Sequence, residues 1–262
     1  MTSILDFQTK KKQGKKISMI TCYDYTSARI ADQTAVDALL VGDSLAMTIL
    51  GHNSTVPATL EAMALFTAAV SRGAPKKFIV GDMPFLSYRR ALEDNITAVQ
   101  AIMRAGAHAI KMEGLSGNAD LIRHLVQSGV PVMGHIGLTP QFVNQMGGYH
   151  VQGKTSEDAA RLMQEARALQ DAGCFSIVLE CVPAKLADDM TRTLDIPTIG
   201  IGAGAGTDGQ VLVWQDMLGL NTEFKPKFVR AFMDGAALTA AAINDYVSAV
   251  EKGEFPGHEN SY

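Results

Sequence analysis

The chain has 262 residues, 47% of them hydrophobic and 19% charged, with a formal net charge of −4. That composition is rich enough to bury a large core, and mild acidity without a basic stripe argues against a nucleic-acid partner. No apolar run approaches the roughly 18–20 residues that span a bilayer, which argues against a membrane partner. The N-terminal stretch MTSILDFQTKKKQGKK is basic but lacks the apolar segment of a secretory leader. Three cysteines, Cys22, Cys174 and Cys181, have no CxxC spacing and read as free thiols in a reducing cytosol. The expectation is a soluble, cytoplasmic protein. Its length is normal for one α/β barrel, so residues 1–262 are expected to form a single domain, with a short N-terminal extension and a polar C-terminal tail.

In chain order, eight short apolar runs read as strands: Ile17–Tyr23, Ala38–Gly42, Phe78–Gly81, Ala109–Met112, Val130–Gly134, Ser176–Leu179, Pro197–Ile201 and Gln210–Val213. Their hydrophobicity is nearly continuous rather than alternating, as expected of strands buried on both faces. Helical patterns lie between most of them: Leu60–Ser71, Ala91–Ala105, Ala119–Gln127, Glu157–Ala172 and Pro183–Thr193, with a last alanine-rich helix over Pro226–Val250. Gly106, Gly129 and Gly173 stand where helices should end in a left-handed residue. Strand–helix alternation calls for a parallel sheet, and eight units favour a closed (β/α)8 TIM barrel over an open sheet.

The informative pattern is what ends each strand. In order these are Asp24, Asp43-Ser44, Asp82, Lys111 with Glu113, His135, Glu180, and the glycines of IGIGAGAG. In a barrel the carboxyl ends of the strands converge on one mouth, where active sites are found. Asp24 reads equally well as a helix cap, and His135 equally well as a hydrogen-bonded imidazole at the core edge. Acids gathered at one mouth repel one another unless something positive lies between them. Carboxylates in an open site suit Mg²⁺, and no HxH or HExxH spacing argues for zinc. Lys111 reads two ways: as a desolvated amine that forms a Schiff base, or as a protonated anchor for a substrate carboxylate, which the acids favour. Glu180 closes an apolar strand, where burial would raise its pKa and suit a general base. Its alternative is an ion pair, for instance with Lys185. Gly204, Gly206 and Gly209 have GxGxxG spacing, but the QVLVW after them reads as a strand, so a dinucleotide loop is poorly supported. Glycines there better suit close backbone approach to a ligand. The 13 methionines are scattered and read as core filler.

Several long motifs carry a resemblance. VGDSLAMTILGHNSTVPATLEAM (Val41–Met63), GDMPFLSY (Gly81–Tyr88), KMEG (Lys111–Gly114) and GHIGLTPQ (Gly134–Gln141) are similar to the ketopantoate hydroxymethyltransferase family. So are GGYHVQG (Gly147–Gly153), LECVP (Leu179–Pro183), PTIGIGAGAGTDGQVLV (Pro197–Val213) and the tail GEFPGHENSY. The resemblance runs through nearly the whole chain in order. It implies the (β/α)8 fold of the phosphoenolpyruvate mutase and isocitrate lyase superfamily. It further implies hydroxymethyl transfer from 5,10-methylenetetrahydrofolate to 3-methyl-2-oxobutanoate, giving 2-dehydropantoate for pantothenate and coenzyme A biosynthesis. Carried over motif by motif, it makes Asp43, Asp82 and Glu113 Mg²⁺ ligands. It makes Asp43, Ser44, Asp82 and Lys111 oxoacid-binding residues and Glu180 the proton acceptor. It also implies a homo-oligomer, a homodecamer of two pentameric rings. The sequence departs from the family pattern where Gly114 is followed by Leu115 instead of a second glycine.

Three other readings remain. A C–C lyase or phosphonomutase of the same superfamily is one, although lyases of that group carry a cysteine in a KKCGH-like loop that is absent here. A nicotinamide-dependent oxidoreductase using Gly204–Gly209 is the second, and a non-catalytic binding protein on a barrel scaffold the third.

Overall fold

The computed structural model describes residues 3–223 and 226–262. Its eight strands are β1 (Ile17–Thr21), β2 (Ala38–Val41), β3 (Phe78–Asp82), β4 (Ala109–Glu113), β5 (Val132–Gly137), β6 (Ser176–Glu180), β7 (Thr198–Ile201) and β8 (Gly209–Leu212). They pair in parallel in sequence order, and β8 closes on β1 to complete the barrel. Helices α1 (Ile4–Lys12), α2 (Tyr25–Asp32), α3 (Leu45–Thr48), α4 (Leu60–Gly73), α5 (Leu92–Arg104) and α6 (Ala119–Gln127) accompany the first half. Helices α7 (Val143–Met146), α8 (Ser156–Asp171) and α9 (Ala184–Thr193) follow. The expected (β/α)8 architecture is therefore the one observed.

The period of two along a strand explains why the barrel is apolar at one end and charged at the other. Phe78 and Val80, Ala109, Met133, and Val178 belong to the buried core cluster. Counting onward in twos along the same strands reaches Asp82, Lys111 and Glu113, His135, and Glu180, so these side chains share the inward face. The amino-terminal end is stoppered by α1. Its one fully buried residue, Phe7, packs on Phe78 and Phe175 with ring centroids 5.6 Å away in each case. Lys11 anchors the same helix to Asp208 at 2.8 Å. These contacts fill that end of the barrel with side chains of the protein itself.

Several expectations need correction. β3, β4 and β6 each run one residue past the expected apolar run, so Asp82, Glu113 and Glu180 are themselves the last residues of their strands. β5 runs on to Gly137, so His135 lies within the strand. Gly106, Gly129 and Gly173 do have positive φ after α5, α6 and α8. Two of the glycines after β7 lie close against the chain itself. A Cβ at Gly204 would stand 2.5 Å from that of Ala184, and one at Gly206 2.8 Å from that of Asp188, both on α9. β8 follows them directly, as the QVLVW run implied, so no helix is present to complete a dinucleotide loop.

Residues 213–262 cluster as a compact unit distinct from residues 1–212. This unit holds α10 (Trp214–Met217) and α11 (Gly235–Glu251). α11 starts nine residues later than the expected Pro226, because described residues 226–234 form turns and bends. Leu238, Ile243, Tyr246 and Val250 on α11 are exposed. Among the described residues no helix is long and apolar enough to cross a membrane.

Candidate active site

At the carboxyl end of the barrel, β2 leads into Asp43, whose backbone N–H donates to Asp82 Oδ2 at 3.1 Å. Strand register puts Asp82 opposite Lys111 and Glu113 opposite His135. Lys111 Nζ lies 2.6 Å from Asp82 Oδ1, 3.9 Å from Glu113 Oε1 and 3.3 Å from His135 Nδ1. His135 then links two acids: Nδ1 is 3.4 Å from Glu113 Oε1, and Nε2 is 3.2 Å from Glu180 Oε2. Asp43, Asp82, Lys111, Glu113 and His135 are all buried, whereas the Glu180 side chain keeps 17% of its surface exposed. Ser44 is half-buried beside them, with Oγ 2.8 Å from the Tyr23 hydroxyl.

Charges this close and this dry set one another's protonation. Burial, then the charges of Asp82 and Glu113, push the Asp43 carboxyl well above the usual range. Burial also raises Asp82, although Lys111 opposes it. For Glu113, burial is outweighed by the His135 hydrogen bond, by the charges of His135 and Lys111, and by the Gln141 N–H, so its pKa falls. Burial would lower Lys111, but Asp82, Glu113 and Asp43 together hold it firmly protonated. Burial and Lys111 likewise oppose His135, yet its bonds to Glu113 and Glu180 carry it up to about 9. A protonated Lys111 suits the anion-anchor reading better than the Schiff base, which needs the free amine.

The geometry places the remaining expected residues. Asp24 caps α2, accepting from the Ser27 N–H at 2.9 Å, and takes no part in the site. Lys185 pairs with Asp189 instead of Glu180, whose partner is His135. Glu180 is held by its neighbours on β5: its carbonyl accepts from the Leu138 N–H at 2.8 Å, and a Cβ at Gly137 would stand 2.2 Å from that oxygen. Cys181 follows Glu180 in a left-handed conformation, φ 47°, and burial with the Glu180 charge pushes its thiol up to about 12. It is no ready thiolate. Leu115 keeps ordinary negative φ, so the missing second glycine costs the loop nothing. Asn118 secures that loop by donating to the carbonyls of Glu113 and Gly114.

Gln141 and Tyr88 belong to the site but were not singled out in the sequence. Gln141 is buried and bonds Asp43, Glu113 and Tyr88. Both residues lie inside the quoted motifs GHIGLTPQ and GDMPFLSY. A buried glutamine after a proline looks like any polar loop residue, so only the motif could have marked it.

The donor set suits a hard cation. Glu113 Oε1 is buried and meets only long contacts, His135 Nδ1 at 3.4 Å and Lys111 Nζ at 3.9 Å, and Asp82 Oδ1 meets Lys111 as an ion pair. Oxygen-only acids with spare capacity are what Mg²⁺ takes, through one or two carboxylates with water and substrate filling the rest. Among the described residues no three His, Cys, Asp or Glu side chains are grouped so that they alone could hold a cation.

A family model for ketopantoate hydroxymethyltransferase matches residues 1–258. The chain belongs to the ketopantoate hydroxymethyltransferase family. A 3-methyl-2-oxobutanoate hydroxymethyltransferase from Francisella tularensis subsp. tularensis (strain WY96-3418) is 56% identical over the whole of this chain and 99% of its own. One from Bdellovibrio bacteriovorus is 56% identical over the whole of both chains. Solved structures are similar in fold alone. A 2,3-dimethylmalate lyase of the PEP mutase/isocitrate lyase superfamily aligns with a TM-score of 0.59 at 18% identity, over 98% of this chain and 90% of its own. A phosphonopyruvate hydrolase solved with oxalate and Mg²⁺ aligns at 0.64 and 9% identity, over 99% of this chain and 93% of its own. Family membership and the observed barrel together make this chain an enzyme of the one-carbon transferase type.

Proposed function

We propose that this chain transfers a hydroxymethyl group from 5,10-methylenetetrahydrofolate to 3-methyl-2-oxobutanoate, forming 2-dehydropantoate in pantothenate biosynthesis. The observation that carries the mechanism is the pairing of Glu180, solvent-accessible and bonded to His135, with the buried acids around Lys111. Carbon–carbon bond formation at C3 of the oxoacid needs a base for the C3 proton and a stabiliser for the resulting enolate.

Asp43, Asp82 and Glu113 would hold Mg²⁺. When bound, it polarises the keto oxygen and stabilises the enolate. The remaining work falls to the chain. Lys111, fixed as a cation by its acids, and the Ser44 hydroxyl bind the oxoacid, with Asp43 and Asp82 at the same subsite. Glu180 accepts the C3 proton, and its bond to His135 Nε2 keeps the receiving oxygen in place. C3 then bonds to the one-carbon unit, and both of that carbon's bonds to the folate, at N5 and N10, break in the course of the transfer, each nitrogen ending with a proton. Water supplies the hydroxyl, so tetrahydrofolate and 2-dehydropantoate leave in balance.

The assembly we infer is a homo-oligomer, a homodecamer by family resemblance, in the cytoplasm. The exposed apolar residues of α11 support self-association. Neither a nucleic-acid nor a membrane partner is called for.

A coupled assay tests the reading. With both substrates and Mg²⁺ the purified protein forms 2-dehydropantoate; EDTA stops it, and excess Mg²⁺ restores it. No product under the complete conditions overturns the reaction, and product formation indifferent to EDTA overturns the metal.

A further inference from the structure

We infer that Gln141 is a positioning residue for the cation site. It clamps Asp43 and Glu113 from one side, so that each carboxylate presents its other oxygen to the metal. This inference rests on the Mg²⁺ reading above.

Gln141 lies in the short 3-10 turn at 140–142 that follows β5, and only 3% of its surface is exposed. Its amide nitrogen donates to Asp43 Oδ2 at 2.8 Å and to the Met83 carbonyl at 2.9 Å. Its amide oxygen accepts from the Tyr88 hydroxyl at 2.8 Å. Its backbone N–H donates to Glu113 Oε2 at 3.0 Å. One residue thus bonds two of the three acids, which come from different strands and lie far apart in sequence.

The bonding fixes the amide in one orientation. Rotated end for end, the amide oxygen would face the Met83 carbonyl, which can only accept. Tyr88 reinforces the choice by donating to the oxygen, and the tyrosine is itself buried. Asp43 Oδ2 and Glu113 Oε2 are thereby committed. On Glu113 the other oxygen, Oε1, is buried and meets His135 Nδ1 at 3.4 Å and Lys111 Nζ at 3.9 Å, contacts longer than the one to Gln141.

The residue type matters. A lysine at this position would satisfy the same oxygens but neutralise them and compete with a cation. A neutral amide orients a carboxylate and leaves its charge available. Groups that orient metal ligands in this way typically account for about 10–100-fold in metal affinity. A glutamine serving only to fill the core would affect folding stability and leave cation affinity alone.

The experiment is a titration of the metal-free protein with Mn²⁺, followed by electron paramagnetic resonance, for the wild type, Gln141→Leu and Tyr88→Phe. Thermal melts of the same metal-free samples report folding separately. Gln141→Leu keeps the backbone N–H to Glu113 and loses both amide donors, and its Mn²⁺ affinity is expected to fall about 10–100-fold. Tyr88→Phe keeps the glutamine but frees its amide to rotate, and a loss of about 3–10-fold is expected, within or below the same range. A folded Gln141→Leu that binds Mn²⁺ as tightly as wild type overturns the inference. Should Gln141→Leu fail to fold, Tyr88→Phe decides: unchanged affinity overturns the inference, and weakened affinity with an unchanged melt supports it. A wild type that takes up no Mn²⁺ defeats the cation site itself, and with it any positioning role for Gln141.

Discussion

Glu180→Gln is expected to leave the barrel folded and the oxoacid bound while slowing product formation by about 10²–10⁴-fold, the usual contribution of a positioned general base. The substitution is nearly isosteric. The new amide oxygen still accepts from His135 Nε2, which now lies 3.2 Å from the carboxylate. What it loses is the capacity to take a proton. Calorimetric binding of 3-methyl-2-oxobutanoate to the variant separates that loss from a loss of affinity. A variant with wild-type turnover and a raised KM would contradict the assignment, because Glu180 would then be a binding group only.

The second large effect concerns Lys111. Lys111→Met removes the cation nearest Asp82 and leaves buried acids facing one another with His135 as their remaining positive neighbour. Breaking a buried ion pair from one side costs about 3–5 kcal/mol, because the surviving charge is stranded. The metal-free variant should therefore unfold at clearly lower temperature or denaturant than wild type. Lowering the pH should recover part of the loss, since protonated acids no longer repel. Saturating Mg²⁺ should recover part as well, by binding only the folded state. Melts with and without Mg²⁺ check this. Equal stability of metal-free variant and wild type would contradict the view that Lys111 balances the acids. Oxoacid binding should weaken in the same variant, as its carboxylate anchor is gone.

Both predictions depend on residues whose direction was legible in the sequence for a simple reason. An inward-facing strand residue recurs every second position, so an apolar strand that ends in an acid carries that acid into the mouth. Asp82, Glu113 and Glu180 follow this rule, and family motifs named their roles by resemblance. Other features depend on contacts between distant segments and were not legible. His135 was left between two readings because its partners, Glu113 and Glu180, come from two other strands. Lys111 was open until its ion pair with Asp82 was seen. Gln141 went unnoticed because nothing local distinguishes it from an ordinary loop residue. The close packing of Gly204 and Gly206 is hidden for a similar reason: what they meet, α9, is an earlier part of the chain. The late start of α11 is a different failure. Alanine-rich composition favours helix over the whole segment, yet the structure turns and bends until Gly235.

The central claim is that base and cation act together on the oxoacid before any one-carbon unit arrives. Proton NMR in D₂O, with wild-type protein, Mg²⁺ and 3-methyl-2-oxobutanoate but no folate, tests it most directly. The C3 proton should exchange for deuterium, exchange should stop on adding EDTA, and it should return with excess Mg²⁺. Exchange that persists in EDTA, or that never occurs without folate, would contradict the account.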